Sequence, residues 1–416
     1  MLNFQQITMP YLGARVPSGW QVRHVDEEAE QIDTELMGTF HWQSGPDVVG
    51  ITFHTPSAYH AYELARRFRL QGAYVVMGGP HVTLLPEEAR QHADSIFIGE
   101  AEGLWEEFLD DFEAGRARAI YQPAALPTLD HIPQSRKDLF HRHDLTNGVL
   151  FATRGCPSQC DFCTISVMYH HTLRRRPVAE VAAEYASFKG KIIIFWDDNL
   201  AADREYAVEL FHAITPYGKW WSSQASIHAG RDDRFLESAA KSGCKQLFLG
   251  LESISQQSMS EVRKGFNRVD EYARIIERIH AHGISVQAGI VFGFDHDTPQ
   301  IFDETCDFLE AAGVQNATFN ILTPFPGTPL FKRLEAEGRI LTRDWRKYNS
   351  RQDVVFQPKQ MNPVELLAGF RHANQRFYSL PGIARRISRS PVQAWWVLPL
   401  NLAYAYQWHS AEHARV

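Results

Sequence analysis

Short apolar runs rich in β-branched residues alternate with amphipathic helical segments along most of this chain. In residues 1–121 the runs VVGITF, YVVMGG and SIFIGE alternate with AYELARRFRLQG, PEEARQHA and GLWEEFLDDFEAG. Strands separated by such helices pair in parallel through right-handed crossovers. This part is therefore predicted to be an α/β, doubly wound (Rossmann-like) domain that binds its ligand at the carboxyl ends of the strands. The stretch before VVGITF contains no convincing strand, which predicts a shortened sheet.

The same rhythm restarts after residues 122–145, a Pro-containing stretch that is predicted to be a linker. Six strand-like runs follow, with helical segments between them: NGVLFATRG, GKIIIFWDDN, KWWSSQAS, KQLFLGLES, SVQAGIVFGF and ATFNILTPF. Polar residues and glycines at the run exits predict a partial (β/α)6 TIM-type barrel over 146–342, with its site on the carboxyl face. Residues 343–416 lose this rhythm and are predicted to form a helical carboxyl-terminal cap.

Composition excludes several classes of function. A formal net charge of −7 gives no global positive field, so nucleic-acid binding is not expected. The start MLNFQQITMPYLG lacks the features of a signal peptide, which predicts a cytoplasmic protein. Three of the five cysteines lie within eight residues, and such crowding indicates metal or redox chemistry rather than disulfides. Cys244 and Cys306 are predicted to be small buried hydrophobes.

The cysteine motif RGCPSQCDFC directly follows a predicted strand. Its C-x3-C-x2-C spacing lets Cys156, Cys160 and Cys163 converge on three corners of an iron-sulfur cube. Because no fourth cysteine lies nearby, one iron stays open to chelation by an amino and a carboxylate group. Two alternatives stay open, a zinc site completed by His170 or His171 and three cysteines without a ligand role. Zinc is disfavoured because structural zinc sites normally use two well-separated ligand pairs.

The motif, with an aromatic residue before its last cysteine, resembles that of the radical S-adenosylmethionine (SAM) superfamily, and the match covers nearly the whole predicted barrel. The resemblance implies a 4Fe-4S cluster whose open iron binds SAM and cleaves it reductively to a 5′-deoxyadenosyl radical. It also implies an electron donor, either a reductase or a flavodoxin or ferredoxin. The SAM contacts that it implies are Phe162, Asp197, Asp198, Gln224, Ser226, Glu252, Ser253, Lys264 and Phe292. Helix capping by the two aspartates and a surface position for the lysine are the alternatives.

The segments VVMGGPHVTLLPEEA and SIFIGEAEGLWEEFL resemble the cobalamin-binding domain that precedes the barrel in one radical SAM subclass. The cobalamin contacts implied by this resemblance are Thr55, Ser57, Gly78, Gly79, His81, Thr83 and Glu100. The motif D-x-H-x-x-G, whose histidine ligates cobalt in many cobalamin proteins, does not occur in the sequence, so cobalt ligation by histidine is not expected. A domain that keeps this fold as a scaffold without the cofactor is the alternative.

The segment RRISRSPVQAWWVLPLNLAYAYQWH places basic residues before an aromatic-rich apolar stretch. It is predicted to pack on the barrel, and the alternatives are a peripheral membrane contact and the wall of an apolar substrate pocket. The apolar run is too short to span a bilayer, and Pro399 and Asn401 interrupt it.

The leading functional hypothesis is cobalamin-assisted C-methylation of a small organic molecule by a radical SAM enzyme. The second hypothesis keeps the radical without cobalamin, for cyclisation, rearrangement or oxidation of an apolar substrate. A non-catalytic iron-sulfur or zinc protein is the third, and the polar residues at every barrel strand exit disfavour it because a passive metal module does not need them.

Overall fold

The structure is a computed structural model that describes residues 6–27, 30, 32, 46–140, 148–392 and 394–413. The strands are β1 (Val48–Thr52), β2 (Tyr74–Gly78), β3 (Ser95–Phe97), β4 (Ile120–Tyr121), β5 (Val149–Leu150), β6 (Thr153–Arg154), β7 (Arg174–Arg175), β8 (Ile192–Phe195), β9 (Trp220–Ala225), β10 (Cys244–Glu252), β11 (Ser285–Phe292) and β12 (Asn316–Ile321).

The helices are α1 (Thr8–Gly13), α2 (Ala58–Leu70), α3 (Pro80–Leu84), α4 (Pro86–Ala89), α5 (Leu104–Glu113), α6 (Thr164–Met168), α7 (Val178–Ser187), α8 (Arg204–Ile214), α9 (Asp233–Lys241), α10 (Gln256–Glu261), α11 (Tyr272–Ala281), α12 (Ile301–Ala311), α13 (Pro329–Ala336), α14 (Pro363–Phe377), α15 (Leu380–Ser388) and α16 (Ala394–His413).

The amino-terminal sheet has four parallel strands in the order β1-β2-β3-β4. Its faces are covered by different helices, because side chains alternate along a strand. Val75 and Met77 of β2 pack in the cluster of α2, whereas Val76 packs with Phe108 of α5. The doubly wound prediction is confirmed. Among the described residues that precede Val48 there is one helix and no strand.

The segment between the two sheets is held against the barrel by one buried carboxylate. Glu184 of α7 accepts hydrogen bonds from Ser135 N (2.9 Å), Tyr11 Oη (2.9 Å) and Arg176 Nη1 (2.8 Å). The Glu184 and Arg176 side chains are both fully buried, so their opposite charges compensate each other. The linker after β4 therefore packs on the barrel, and the boundaries drawn from the sequence at 121 and 145 stay predictions.

The second sheet contains six parallel strands in the order β5-β8-β9-β10-β11-β12, which is the sequence order of the six predicted runs. Helices α7, α8, α9, α11 and α12 lie between consecutive strands and cover the outer face. Alternation again sets the faces, since Trp221, Leu249 and Phe292 point outward into the helical layer. The predicted partial (β/α)6 barrel is confirmed, and β6 pairs with β7 in a separate antiparallel hairpin.

The carboxyl-terminal helix α16 packs across the amino ends of the barrel strands. Asn401 Nδ2 donates to Asn316 Oδ1 (2.8 Å) at the start of β12, and Trp395 contacts Trp220, the first residue of β9, with ring centroids 5.0 Å apart. The helical cap and its packing are as predicted. The substrate-pocket alternative is wrong, because the cysteine loop and the other strand exits lie at the opposite end. Within the ranges given above, no helix combines the length and apolar character needed to cross a bilayer.

Candidate functional site

The three motif cysteines lie on a loop closed by the β6–β7 hairpin. Thr153 pairs with Arg175, and Arg154 pairs with Arg174, so the hairpin brings both ends of the loop together. Gly155 opens the loop with φ of 89°, and a Cβ at this position would lie 2.3 Å from the Thr172 carbonyl oxygen. Only glycine fits that conformation and that space. The glycine before the first cysteine is thus required by the backbone.

Backbone hydrogen bonds tie the cysteine loop to two neighbouring segments. Asp161 N donates to the Val262 carbonyl (3.1 Å), and Leu330 N donates to the Asp161 carbonyl (3.0 Å). Cys160 is buried, whereas Cys156 and Cys163 are half-buried. Burial raises the pKa of the Cys160 thiol to about 12, so a bound metal has to displace its proton. The loop is held in place before any metal arrives.

The donor set fits a cluster with three cysteine ligands. Cys244 and Cys306 are buried in the core of the barrel, as predicted, and supply no fourth thiol to the loop. The zinc alternative is not supported, because His170 and His171 are exposed. Across the described part of the chain, no three His, Cys, Asp or Glu side chains converge on a single metal ion. A cluster differs because its thiolates bind separate iron atoms.

The aspartates after β8 position the cysteine loop. The Asp197 carboxylate is fully buried and accepts hydrogen bonds from Ala152 N (3.1 Å), Thr153 N (2.5 Å) and Thr153 Oγ1 (2.6 Å). Burial raises the pKa of Asp197 to about 7. The SAM contact predicted for Asp197 is therefore corrected, because its oxygens are inaccessible and already bonded. Asp198 accepts from Gly155 N (2.8 Å) and keeps a half-buried side chain at the site.

Asn199 joins the cysteine loop to the next strand exit. Its Nδ2 lies 3.7 Å from Cys156 Sγ, and its Oδ1 accepts from Ser226 N (2.9 Å) after β9. Gln224 lies on the barrel-facing side of β9, since its neighbours Ser223 and Ala225 are buried on the other side. The structure thus brings Gln224 and Ser226 to the mouth of the barrel, as the sequence predicts, and their contact with SAM stays a prediction.

Glu252 and Lys264 form an ion pair beside the cysteines. Lys264 Nζ donates to Glu252 Oε1 at 2.5 Å, and both side chains are largely buried. The Lys264 charge acts on Cys160, which places the pair next to the loop. Glu252 has φ of 66°, an uncommon conformation for a residue with a side chain. The surface alternative for Lys264 is wrong, because its side chain is only 13% exposed, and the SAM contacts of Glu252 and Lys264 stay predictions.

Two further predicted SAM contacts are corrected. Phe292 is buried on the outer face of β11, where its ring packs 4.8 Å from Phe302 and 5.6 Å from Phe319. Ser253 is buried, and its Oγ accepts from Ser255 N (3.0 Å), which makes it part of a turn. Phe162 is half-buried with its ring 6.2 Å from that of Phe294, and its contact with adenine stays a prediction.

At the carboxyl edge of the amino-terminal sheet, two of the predicted cobalamin contacts bond to each other. His81 Nδ1 lies 3.1 Å from Thr55 Oγ1, and His81 Nε2 lies 3.1 Å from Tyr62 Oη. Both Thr55 and His81 are buried, and burial lowers the pKa of His81, which keeps the ring neutral. Their assignment as cobalamin contacts is therefore corrected. Both side chains point into the domain and support the Gly78–Gly79 turn from inside.

The remaining predicted cobalamin residues stay at the edge. Ser57 is exposed, and Gly78 and Gly79 form a half-buried turn. Gly79 has φ of 95°, and a Cβ there would lie 2.5 Å from Thr52 Oγ1, so the turn packs closely against the end of β1 and requires glycine. Thr83 Oγ1 donates to the Gly79 carbonyl (3.0 Å) and accepts from Gly99 N (3.0 Å), which fixes two neighbouring turns. An accessible glycine edge of this kind fits a large planar cofactor.

Glu100 joins the two domains instead of facing a cofactor. Its carboxylate is buried and paired with Arg154 and Arg174, the two residues of the hairpin that closes the cysteine loop. Glu102 adds a second contact to Arg154 Nη1 at 2.8 Å. The predicted cobalamin contact of Glu100 is corrected for this reason. The sequence offered no signal for the pairing of these arginines with Glu100, which lies 54 and 74 residues away from them.

The carboxyl edges of both sheets face each other. Besides the Glu100 contacts, the Leu84 side chain of α3 lies against Gly327 in the turn after β12, and α3 also packs on α6, which follows the cysteine loop. The Gly78–Gly79 turn immediately precedes α3. The structure thus places the glycine edge and the cysteine loop on opposite sides of one interface. Two cofactors held there would approach each other.

Comparisons with known proteins agree with this arrangement. Residues 150–309 match the radical SAM superfamily, residues 6–109 match the B12 binding domain, and residues 328–393 match a domain of unknown function (DUF4070). In Chlorobaculum tepidum, the bacteriochlorophyllide d C-12(1)-methyltransferase is 32% identical over 85% of this chain and 79% of that protein. The C-8(2)-methyltransferase of the same organism is 30% identical over 78% of this chain and 76% of that protein.

A solved structure shows the same fold. The radical S-adenosylmethionine methyltransferase TsrM from Kitasatospora setae superposes with a TM-score of 0.70 at 17% identity, covering 90% of this chain and 80% of that one. Both family matches fall on the sheets whose edges form the interface described above. The chain therefore belongs to the radical SAM superfamily, in the group whose barrel follows a B12-binding domain.

Proposed function

We propose that the protein is a cobalamin-dependent enzyme that methylates a carbon atom of a small organic molecule. The observation that carries this proposal is the interface in which the cysteine loop faces the Gly78–Gly79 turn. Methyl transfer needs the methyl donor and the activated substrate carbon in one enclosed space. The names of the two Chlorobaculum relatives support the same reaction class.

The cofactors supply the chemistry when bound: cluster and SAM provide a hydrogen-abstracting radical, and cobalamin provides the methyl group. The chain supplies position and charge. In this proposal the three cysteines hold the cluster, and the ammonium of Lys264 meets the SAM carboxylate. The Glu252 carboxylate, which forms an ion pair with Lys264, accepts hydrogen bonds from the ribose hydroxyl groups of SAM. Asp197 and Asn199 keep the loop fixed through the hydrogen bonds already described. A separate reductase, flavodoxin or ferredoxin delivers the electron.

A cleft of about 630 Å³ beside the cysteine loop, lined by residues of the barrel, is consistent with an acidic substrate that has an apolar part. Its lining includes Ser158, Asn199, Ser226, His228, Arg263 and Phe266. Phe266 is exposed, and its ring lies 5.4 Å from that of His228, so the two rings form an apolar wall. Arg263 lies at the rim with a 66% exposed side chain, and its Nε is 3.3 Å from Asp161 Oδ1, so a substrate carboxylate would share this guanidinium with Asp161. A ring system against this wall, with a carboxylate toward the guanidinium, matches the lining.

Anaerobic reconstitution with iron, sulfide and hydroxocobalamin tests the proposal. After desalting, we expect about four irons per chain and a retained corrin absorption band. With SAM that carries a deuterated methyl group, a reductant and a tetrapyrrole carboxylic acid, each transferred label should be accompanied by one 5′-deoxyadenosine and one S-adenosylhomocysteine. Iron without a corrin band would contradict the cobalamin step and favour radical cyclisation, rearrangement or oxidation.

Glu252→Gln is expected to weaken SAM binding about tenfold or more and to leave the iron content unchanged, because a charge-assisted hydrogen bond contributes about 1.5–3 kcal/mol. The amide keeps the shape of the side chain, so the loop should stay intact. Anaerobic calorimetric titration measures the SAM Kd, and metal analysis measures the iron. Glu335→Gln, at an exposed ion pair on α13, is the control. Unchanged SAM affinity in Glu252→Gln would remove this residue from the proposed site.

A further inference from the structure

Helix α16 presents a row of exposed apolar side chains, here called the apolar ridge. Trp395, Leu398, Leu402 and Tyr406 are 49%, 38%, 47% and 69% exposed. Their spacing of three or four residues places them on one face of the helix. The adjoining face of the helix packs on the barrel through Val397, Asn401 and Ala405, which are buried. Leu398, Leu402 and Tyr406 are therefore exposed beside that packed face, whereas Trp395 also contacts Trp220 at the amino end of β9, the end of the barrel opposite to the cysteine loop.

The ridge belongs to a segment without ionic groups. Residues 390–411 contain no Asp, Glu, Lys or Arg. Exposed contiguous apolar surface of this kind is rare on proteins that stay in water, and it marks an interaction site. Tryptophan and tyrosine near the ends of such a face are typical of side chains that sit at the level of lipid headgroups. The helix is not a bilayer-crossing one.

Three basic residues lie on segments next to the amino end of α16 and are here called the basic rim: Lys191, Lys245 and Arg389. Lys191 lies just before β8, and its carbonyl accepts from Trp220 N (2.7 Å). Lys245 Nζ lies 5.9 Å from the centroid of the Trp220 ring, which in turn contacts Trp395. Arg389 is exposed in the turn that leads into α16, whereas Arg385 on α15 is paired with Glu310 (3.3 Å) and does not belong to the rim. The positive charge of the basic rim is a local feature of the surface, since the whole chain carries a net charge of −7.

We propose that the apolar ridge and the basic rim together dock the protein on the surface of a bilayer that contains anionic lipids. The ridge would enter the boundary between headgroups and acyl chains, while the rim would contact lipid phosphates. The combination of apolar and positive groups on one surface favours an anionic bilayer as its binding partner. A second copy of the chain would bring the basic rims of the two protomers together. Docking at this end leaves the cleft beside the cysteine loop open to the solvent.

Co-sedimentation of the reconstituted holoenzyme with lipid vesicles tests the proposal. Vesicles of phosphatidylcholine and phosphatidylglycerol in equal amounts should bind the protein, and binding should fall as salt screens the charges. Vesicles of phosphatidylcholine alone should bind at least about tenfold less, since each basic residue near an anionic surface contributes several-fold to partition. Absence of binding to the mixed vesicles would overturn the proposal.

Two double variants test the apolar ridge and the basic rim separately. Leu398→Glu combined with Leu402→Glu should lower partition to mixed vesicles about tenfold or more, because it places charge on the inserting face. Lys191→Gln combined with Arg389→Gln should lower it by a similar factor and reduce the salt dependence. All four residues are exposed, so circular dichroism and SAM cleavage should match those of the wild type.

Val364→Glu is the matched control for the ridge. Val364 is 76% exposed at the start of α14, near Leu366, which contacts Gly293 at the carboxyl end of β11. This substitution should leave vesicle binding unchanged, and an equal loss would show that partition does not depend on the ridge. Light scattering after size exclusion provides the other decisive result. A wild-type dimer that Leu398→Glu with Leu402→Glu converts to monomer would assign the ridge to a second copy and overturn membrane docking.

Discussion

Alanine in place of Cys156, Cys160 or Cys163 should abolish formation of 5′-deoxyadenosine and lower the iron content from about four per chain to less than about one. Each thiol is the ligand for a different iron, so losing one leaves a second iron open and the cluster unstable. The loop itself should persist, because the backbone hydrogen bonds of Asp161 with Val262 and Leu330 do not involve the cysteine side chains. Anaerobic reconstitution, iron analysis and chromatographic quantification of 5′-deoxyadenosine measure the effect.

Cys306→Ala supplies the matched control for the cluster. Cys306 is buried in the barrel core, and its Sγ donates a weak hydrogen bond to the Ala373 carbonyl (3.7 Å). Its replacement should reduce stability by about 1 kcal/mol and leave both iron content and SAM cleavage in place. If the triple alanine variant of the motif still produced 5′-deoxyadenosine under reducing conditions, the assignment of these cysteines to the cluster would be wrong.

The barrel was predictable because its signal is local. Each of its strands is an apolar run that ends in polar residues or glycine, and consecutive strands are neighbours in the sheet, so sequence order equals spatial order. The cysteine motif has the same local character, since three ligands and the glycine that shapes the loop fall within a few residues. Glu252 and Lys264, which the sequence predicts separately as SAM contacts, lie only 12 residues apart, but the ion pair between them was not predicted.

The errors at Phe292, Thr55, His81 and Asp197 share one physical cause, which is that local sequence does not tell which face of an element a side chain occupies. Phe292 lies at a strand exit as predicted, but the alternation along β11 turns its ring into the helical layer. His81 and Thr55 stand at the correct turn and point into the domain instead of outward. The Asp197 carboxylate accepts hydrogen bonds from the backbone N–H groups of residues 152 and 153. The parallel pairing of β5 with β8 brings these groups together.

Contacts between the domains could not be predicted from the sequence, for a different reason. Glu100 and its arginine partners come from separate domains, and no spacing rule relates residues across a domain interface. The position of helix α16 could not be predicted either, since its composition was compatible with either end of the barrel. Only the packing of Asn401 on Asn316 selects the amino end.

The Glu100–Arg154 pair should have a large coupling free energy in a double-mutant cycle, about 2 kcal/mol or more, because the two charges are held together in a buried interface. Their side chains are only 5% and 17% exposed. The cycle uses Glu100→Ala, Arg154→Ala and the double variant, with the free energy of unfolding taken from guanidinium titrations. Glu107 and Arg118 form the control pair at 2.6 Å, and with side chains 48% and 49% exposed it should couple by less than about 1 kcal/mol.

The same interface should control how firmly the cluster is held. Arg154 stands two residues before Cys156, so loss of its partner frees the hairpin that closes the cysteine loop. Glu100→Ala is therefore expected to release iron to a chelator faster than the wild type, whereas Glu107→Ala should not. Rates of bleaching of the cluster absorption under anaerobic conditions give the comparison. Equal rates in all three proteins would mean that Glu100 only joins the domains, and that the hydrogen bonds of Asp197, Asp198 and the Asp161 backbone hold the loop without it.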